Sequence, residues 1–265
     1  MSDPSPFKKH RNLDRVTLLS SGFLMLFIAF NSAANLSGQA LKNDGFDGLG
    51  FFTMATLYLF FSFCSFFSSG IVNSLGAKWS LIVGGLCYSF WVLCFLPPAF
   101  YPLHKDDPDP SFIFNKNFIT FLSLFSAAVN GFGAGVLWVA QGKYVAECAT
   151  DANKGFFFGY FWAFFMASQV LGNLIAALIL GRLAQSTYYV VMSIVAFSGT
   201  AIFLFLRKPV KGIEDLQPIL EGLKGDSYGA VSIDKSKEEK IVQKNTDEPN
   251  VEDSISLIRQ EELVK

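Results

Sequence analysis

Long apolar runs alternate with short polar gaps along this chain. Six runs, at about 16–36, 49–71, 79–96, 118–140, 156–180 and 188–206, contain no Asp, Glu, Lys, Arg or His. A helix that crosses the ~30 Å hydrocarbon core of a bilayer needs roughly 20 apolar residues, and each run approaches or exceeds that length. A buried helix of a soluble protein would keep a polar stripe at a period of 3.6, whereas these runs are apolar all round. A transmembrane barrel would show alternating strands of about ten residues, and that alternation is absent. The first run is too long for the apolar core of a cleaved leader, which spans about 7 to 15 residues. The pattern predicts an all-α membrane protein with six transmembrane helices.

Composition agrees, because 51% of the chain is hydrophobic and only 16% charged, against about a quarter charged in soluble domains. The charges fall in the gaps and so report orientation: Lys and Arg near span ends stay on the cytosolic side. With the N-terminus inside, ten of them (Lys8, Lys9, Arg11, Arg15, Lys78, Lys143, Lys154, Arg207, Lys208 and Lys211) are cytosolic, and four (Lys42, Lys105, Lys116 and Arg182) are not. Both termini are therefore expected in the cytosol. The expected organisation is a cytosolic segment 1–15, a six-helix transmembrane domain 16–209 and a cytosolic tail 210–265. The tail is too polar to offset chain entropy and is expected to be disordered, except for an amphipathic stretch, Ile213 to Leu223. Cys64, Cys87 and Cys94 lie in spans and Cys148 in a connection, so the cysteines read as apolar packing residues. The sequon Asn35-Leu36-Ser37 lies where the first helix leaves the membrane, too close to serve as a glycan acceptor.

Candidate chemistry lies in the few polar groups inside the spans, since such groups must face a partner or water. Asn31, Asn35 and Gln39 in the first helix fall on one stripe at i, i+4 and i+8, and Gln169 with Asn173 repeats the device in the fifth. The fourth helix carries Asn130 at its middle and Trp138 with Gln141 near its cytosolic end. These residues either line a cavity or hydrogen-bond between helices; the latter is the commoner use, worth about 0.6 kcal/mol each. Gly131, Gly133 and Gly135, and Gly155 with Gly159, have the small-residue spacing of tight helix packing. Proton- or ion-coupled carriers place ionisable relays in their helices, so any solute moved here is expected to be neutral or weakly polar and to diffuse uncoupled, and a non-transporting role fits at least as well. His10 and His104 fall on opposite sides of the membrane, and neither a CxxC pair nor a GxSxG elbow occurs. No catalysis, cofactor, metal or nucleic acid is expected, and the partner that is certain on composition is the lipid bilayer.

Six helices with both ends inside and a polar segment behind them describe one half of a major facilitator fold, itself a 3+3 inverted repeat. The second-to-third connection, Gly70-Ile71-Val72-Asn73-Ser74-Leu75-Gly76-Ala77-Lys78, resembles the facilitator loop motif: Gly70, Gly76 and Lys78 match in register. Asn73, Ser74 and Ala77 depart from its charged positions, which puts the interhelical charge latch of that loop in doubt. More specifically, the chain resembles the Unc-ninety-three-like family, in its facilitator-domain-containing branch. The resemblance rests on Phe30-Asn31-Ser32-Ala33-Ala34-Asn35-Leu36, Leu75-Gly76-Ala77-Lys78-Trp79, Ala134-Gly135-Val136-Leu137-Trp138-Val139-Ala140-Gln141-Gly142, Phe161-Trp162-Ala163, Gly172-Asn173-Leu174 and Arg207-Lys208-Pro209. It implies a regulator of channels or receptors, and it implies a second six-helix half. Three readings follow: a non-catalytic accessory protein acting on another membrane protein; a small-solute facilitator working as a homodimer, its polar stripes meeting across the interface; or a shortened product without activity of its own.

Overall fold

The computed structural model describes residues 11–105, 107–108 and 111–210, and every regular element among them is helical. The helices are α1 (Leu13–Asn43), α2 (Leu49–Leu75), α3 (Ala77–Leu93), α4 (Leu96–His104), α5 (Lys116–Cys148), α6 (Lys154–Leu180) and α7 (Gln185–Ile202), with short 3-10 turns at Phe112–Phe114 and Phe203–Phe205. Taking α3 with α4 and α7 with its terminal turn, six helical stretches are long and apolar enough to cross a membrane. The expected six-span, all-α architecture is what the chain adopts. The stretch Ile213 to Leu223 lies outside the described residues.

The helices run past the apolar runs that announced them. α1 continues seven residues beyond Leu36 because Ala40 and Leu41 are buried against the bundle. α5 continues to Cys148, which is buried in its last turn rather than lying in a connection. The sequon at Asn35 likewise lies two turns inside α1. The third run breaks instead: α3 stops at Leu93 and α4 begins at Leu96 with Pro97 and Pro98 in its first turn. A proline has no N–H to extend the α3 ladder but fits a first helical turn. Gly76, with φ 78°, is at once the C-cap of α2 and the N-cap of α3. That left-handed backbone is open to glycine at little cost, so a single residue turns the chain between two spans.

Helix-to-helix packing follows the glycines. α5 meets α2 where a Cβ on Gly131 would lie 2.4 Å from the Leu57 carbonyl oxygen, and α6 meets α1 where a Cβ on Gly172 would lie 2.5 Å from that of Ile28. α3 crosses α5 at Gly84 against Gly133 and Leu137; α7 crosses α1 at Gly199 against Gly22 and Leu26. The helix pairings, α5 with α2 and α3 and α1 with α6 and α7, are related by a pseudo-two-fold that exchanges α1 with α5, α2 with α6 and α3 with α7. The repeat is visible locally once the structure aligns it: Gly22, Leu26, Phe27, Ile28 and Ala29 correspond to Gly133, Leu137, Trp138, Val139 and Ala140. Near the pseudo-axis, Gly85 packs on Thr200, whose hydroxyl lies 2.9 Å from that of Ser89. Lipid tails are as apolar as the side chains they would replace, so close backbone approach and van der Waals contact hold such a bundle together. α2 and α6 occupy equivalent outer places, and both leave large apolar side chains exposed, Phe63 and Phe66 on α2 and Val170 and Leu174 on α6 among them.

The Gly155–Gly159 pair does not fit this scheme. A Cβ on either would meet nothing within 4 Å, so its spacing marks no helix crossing within this chain.

Candidate functional site

The polar stripes of α1 and α6 lie side by side. Gly172 brings the α6 backbone onto α1 at Ile28, and one turn further along α1 the Asn31 amide donates to the Ser168 hydroxyl at 3.2 Å. Ser168, buried, donates its own hydroxyl to the Phe165 carbonyl. One turn beyond Asn31, the Asn35 amide donates to Asn173 Oδ1 at 3.1 Å. The stripes expected to meet across an interface with another copy thus meet within one chain. Gln39 drops out of the series: it is exposed and donates to Asn43 at the end of its own helix.

The ladder remains at the surface. Asn35, Gln169 and Asn173 are exposed and Asn31 is half-buried. Each rung uses only part of a carboxamide, which offers two donors and an acceptor, and Gln169 hydrogen-bonds nothing among the described residues.

On the N-terminal side of the ladder α1, α5 and α6 contribute aromatic rings. Trp138, half-buried, stacks on exposed Trp162 with centroids 5.9 Å apart and planes 17° apart. Phe165 stands edge-on to both, at 5.0 and 5.2 Å. Phe27 completes the group 5.5 Å from Trp138; it is also the pseudo-symmetric counterpart of Trp138, so the two central helices present aromatic rings to each other. Sequence spacing singled out Trp138 but not Phe27, Trp162 or Phe165. The signal was available on α6, where Trp162, Met166, Gln169 and Asn173 recur at helical spacing and all four are exposed.

Two candidates lie elsewhere. Asn130 is fully buried, between Gly131 facing α2 and Gly133 facing α3, and neither amide atom has a hydrogen-bond partner among the described residues. Gln141 is buried too, with its amide nitrogen unpartnered. Neither joins the ladder.

The facilitator-like loop sits at the bundle end where α1 begins. Asn73 is exposed and accepts from Lys143 Nζ at 2.9 Å, so α2 and α5 are tied by a charge-assisted bond to a neutral amide. Gly70 is open, Gly76 makes the turn, and Lys78 is half-buried beside it. At the same end Arg15 donates to the Lys208 carbonyl at 2.9 Å and Tyr144 to the Arg207 carbonyl at 2.6 Å, fixing the chain as it leaves the last span. At the opposite end Asp44, just past α1, accepts from Gln185 at the start of α7 at 2.6 Å. Burial pushes the Asp44 carboxyl up to about 6, partly offset by that bond.

Comparison with known proteins accords with this geometry. The family model described as "Ion channel regulatory protein UNC-93" matches residues 46–105 and 110–219. The UNC93-like protein MFSD11 of Xenopus tropicalis is 26% identical over 211 residues, 75% of this chain and 42% of that protein. UNC93-like protein 3 of Arabidopsis thaliana is 30% identical over 73% of this chain and 40% of its own length. Protein unc-93 homolog A of Mus musculus is 31% identical over 66% of this chain and 36% of its own. This chain thus spans less than half the length of these relatives. In fold it is similar to the crystal structure of a D-xylose–proton symporter, with TM-score 0.55 and 13% identity over 79% of this chain and 52% of that one. The likeness to about half of that transporter is that of a six-helix half of a major facilitator fold, and with well over half of its residues matched by the family model, the chain belongs to the UNC-93 family.

Proposed function

We propose that this chain acts as a non-catalytic accessory unit that engages another membrane protein through the polar face of α1 and α6. The observation that carries the reading is the exposure of Asn35, Gln169 and Asn173 within the spans. Exposed amides at that depth cannot face lipid without cost and call for a partner that hydrogen-bonds. The family's description as a regulator of ion channels supports a protein partner. The apolar runs hold no Asp, Glu, Lys, Arg or His that would couple such a face to protons or ions.

Light scattering on the purified chain in nanodiscs, corrected for lipid, tests this reading together with the proteins that co-purify. A monomer that carries a second membrane protein, lost on Asn173→Leu, is the expected result. A stable homodimer carrying nothing else overturns it. That outcome would favour a second reading, a small-solute facilitator assembled from two halves, which the unused donors and acceptors of the ladder also support.

A further inference from the structure

We propose that the amide ladder and the aromatic wall beside it form half of a binding site for a neutral, hydroxyl-bearing ring, a monosaccharide or cyclitol. The inference rests on the facilitator reading and deepens it by naming the class of solute.

Three features select this chemistry. Charge is disfavoured first: the apolar runs that carry the ladder and the rings contain no Asp, Glu, Lys, Arg or His, so an ionised ligand on this surface would be desolvated without a counter-charge from it. The polar half of the surface then consists of carboxamides, each able to donate and accept. Asn35 and Asn173 are joined by one bond at 3.1 Å, leaving the Asn35 oxygen and the Asn173 nitrogen adjacent. A donor and an acceptor held together match neighbouring hydroxyls, each of which is itself both. Gln169 extends the row one turn toward the aromatic rings and hydrogen-bonds nothing among the described residues. The apolar half is flat: Trp162 lies exposed, its ring held against Trp138 at 5.9 Å and braced by Phe165 at 5.2 Å. Flat indole faces with a few convergent polar groups are the usual lining of a small-molecule site, and the C–H face of a saturated ring lies on such a surface while its edge hydroxyls reach the amides.

The two halves of the surface are contiguous. Trp162, Met166, Gln169 and Asn173 share one exposed face of α6, about 16 Å long at 1.5 Å per residue. Asn31 and Asn35 run beside it on α1, joined to it by the bonds to Ser168 and Asn173.

Tryptophan fluorescence of the full chain in nanodiscs, titrated with D-glucose, D-xylose and myo-inositol, tests the assignment. D-glucose 6-phosphate and 1-hexanol serve as charged and acyclic controls. A saturable change with at least one neutral ring, absent with both controls, is expected. Gln169→Leu should weaken it at least tenfold with folding unchanged, since Gln169 makes no hydrogen bond among the described residues. Trp162→Leu should abolish the signal, and Trp79→Phe, in the first turn of α3 and outside the ladder and the aromatic group, should preserve it. Labelling of Asn35→Cys by a membrane-impermeant thiol reagent separates the possible failures. A reactive cysteine with no response to any neutral ring leaves a wet face and overturns the ligand class. An unreactive cysteine with no response overturns the facilitator reading and this proposal together.

Discussion

Gly131–Gly135 and Gly155–Gly159 have the same spacing and opposite surroundings. A Cβ on Gly131 or Gly172 would collide with backbone oxygen at 2.4 or 2.5 Å, whereas one on Gly155 or Gly159 would meet nothing. Backbone cannot rotate aside as a side chain can, so Gly131→Ala and Gly172→Ala should each destabilise the bundle by about 1–3 kcal/mol. Gly155→Ala should be neutral or stabilising by up to about 1 kcal/mol, because alanine is the better helix former. Thermal unfolding in one detergent, followed by scattering or circular dichroism, checks all three; equal losses at Gly155 and Gly131 would contradict the packing. Asn130 offers a second contrast. Its carboxamide is fully buried with neither atom bonded, which costs about 1–3 kcal/mol, so Asn130→Leu, of similar volume, should raise the melting temperature. At this scale the sequence showed which residues were unusual but not what they faced. Asn31, Asn130 and Gln141 are alike as amides in apolar runs, and only the neighbouring helices make the first a rung and leave, among the described residues, both amide atoms of Asn130 and the amide nitrogen of Gln141 without a partner.

The helices themselves were legible because apolar content over about twenty residues is a property of each segment alone. Their ends were not, because ends depend on neighbours: α1 runs on to Asn43 where Ala40 and Leu41 find a packed surface, and its turn is tied to α7 by Asp44 and Gln185. That tie carries a pH dependence. With its carboxyl raised by burial to about 6 from an ordinary 3.8, Asp44 holds its proton more tightly in the folded chain than in the unfolded one. Folding stability from this group is therefore fully present below about 3.8 and is lost as pH rises through about 6. Melting temperatures measured from pH 4 to pH 7.5 should fall more steeply for the native chain than for Asp44→Asn, whose amide cannot ionise. Parallel curves would show that Asp44 is solvated alike in both states. The break between α3 and α4 belongs to the same scale and was readable in principle, since Pro97 and Pro98 are local signals, but continuous hydrophobicity through Leu96 masks them.

Over the whole bundle, the pseudo-two-fold leaves two kinds of exposed surface. On α7 and its terminal turn, Val190, Ile194, Phe197, Ala201 and Leu204 lie outward, and Ser198 beside them returns its hydroxyl to the Ile194 carbonyl of its own helix. That face satisfies its own polar groups and suits lipid. On α6 the row Trp162, Met166, Gln169 and Asn173 is equally exposed but carries two amides. Hydropathy along the chain cannot separate these faces, because both helices are apolar over a full span; the distinction appears only when the fold shows which side of each helix is covered. An arginine at the centre of a lipid-facing span costs about 2.5–3.5 kcal/mol of insertion free energy, while a polar or hydrated face accepts it at far less. Ile194→Arg should therefore sharply lower the yield of membrane-inserted protein, and Gln169→Arg, near the middle of α6, should leave it close to normal. Quantifying the carbonate-resistant membrane fraction of both variants, expressed side by side, checks this. If Gln169→Arg is lost as completely as Ile194→Arg, the α6 face lies against lipid, and its amides serve only to hold α1 and α6 together.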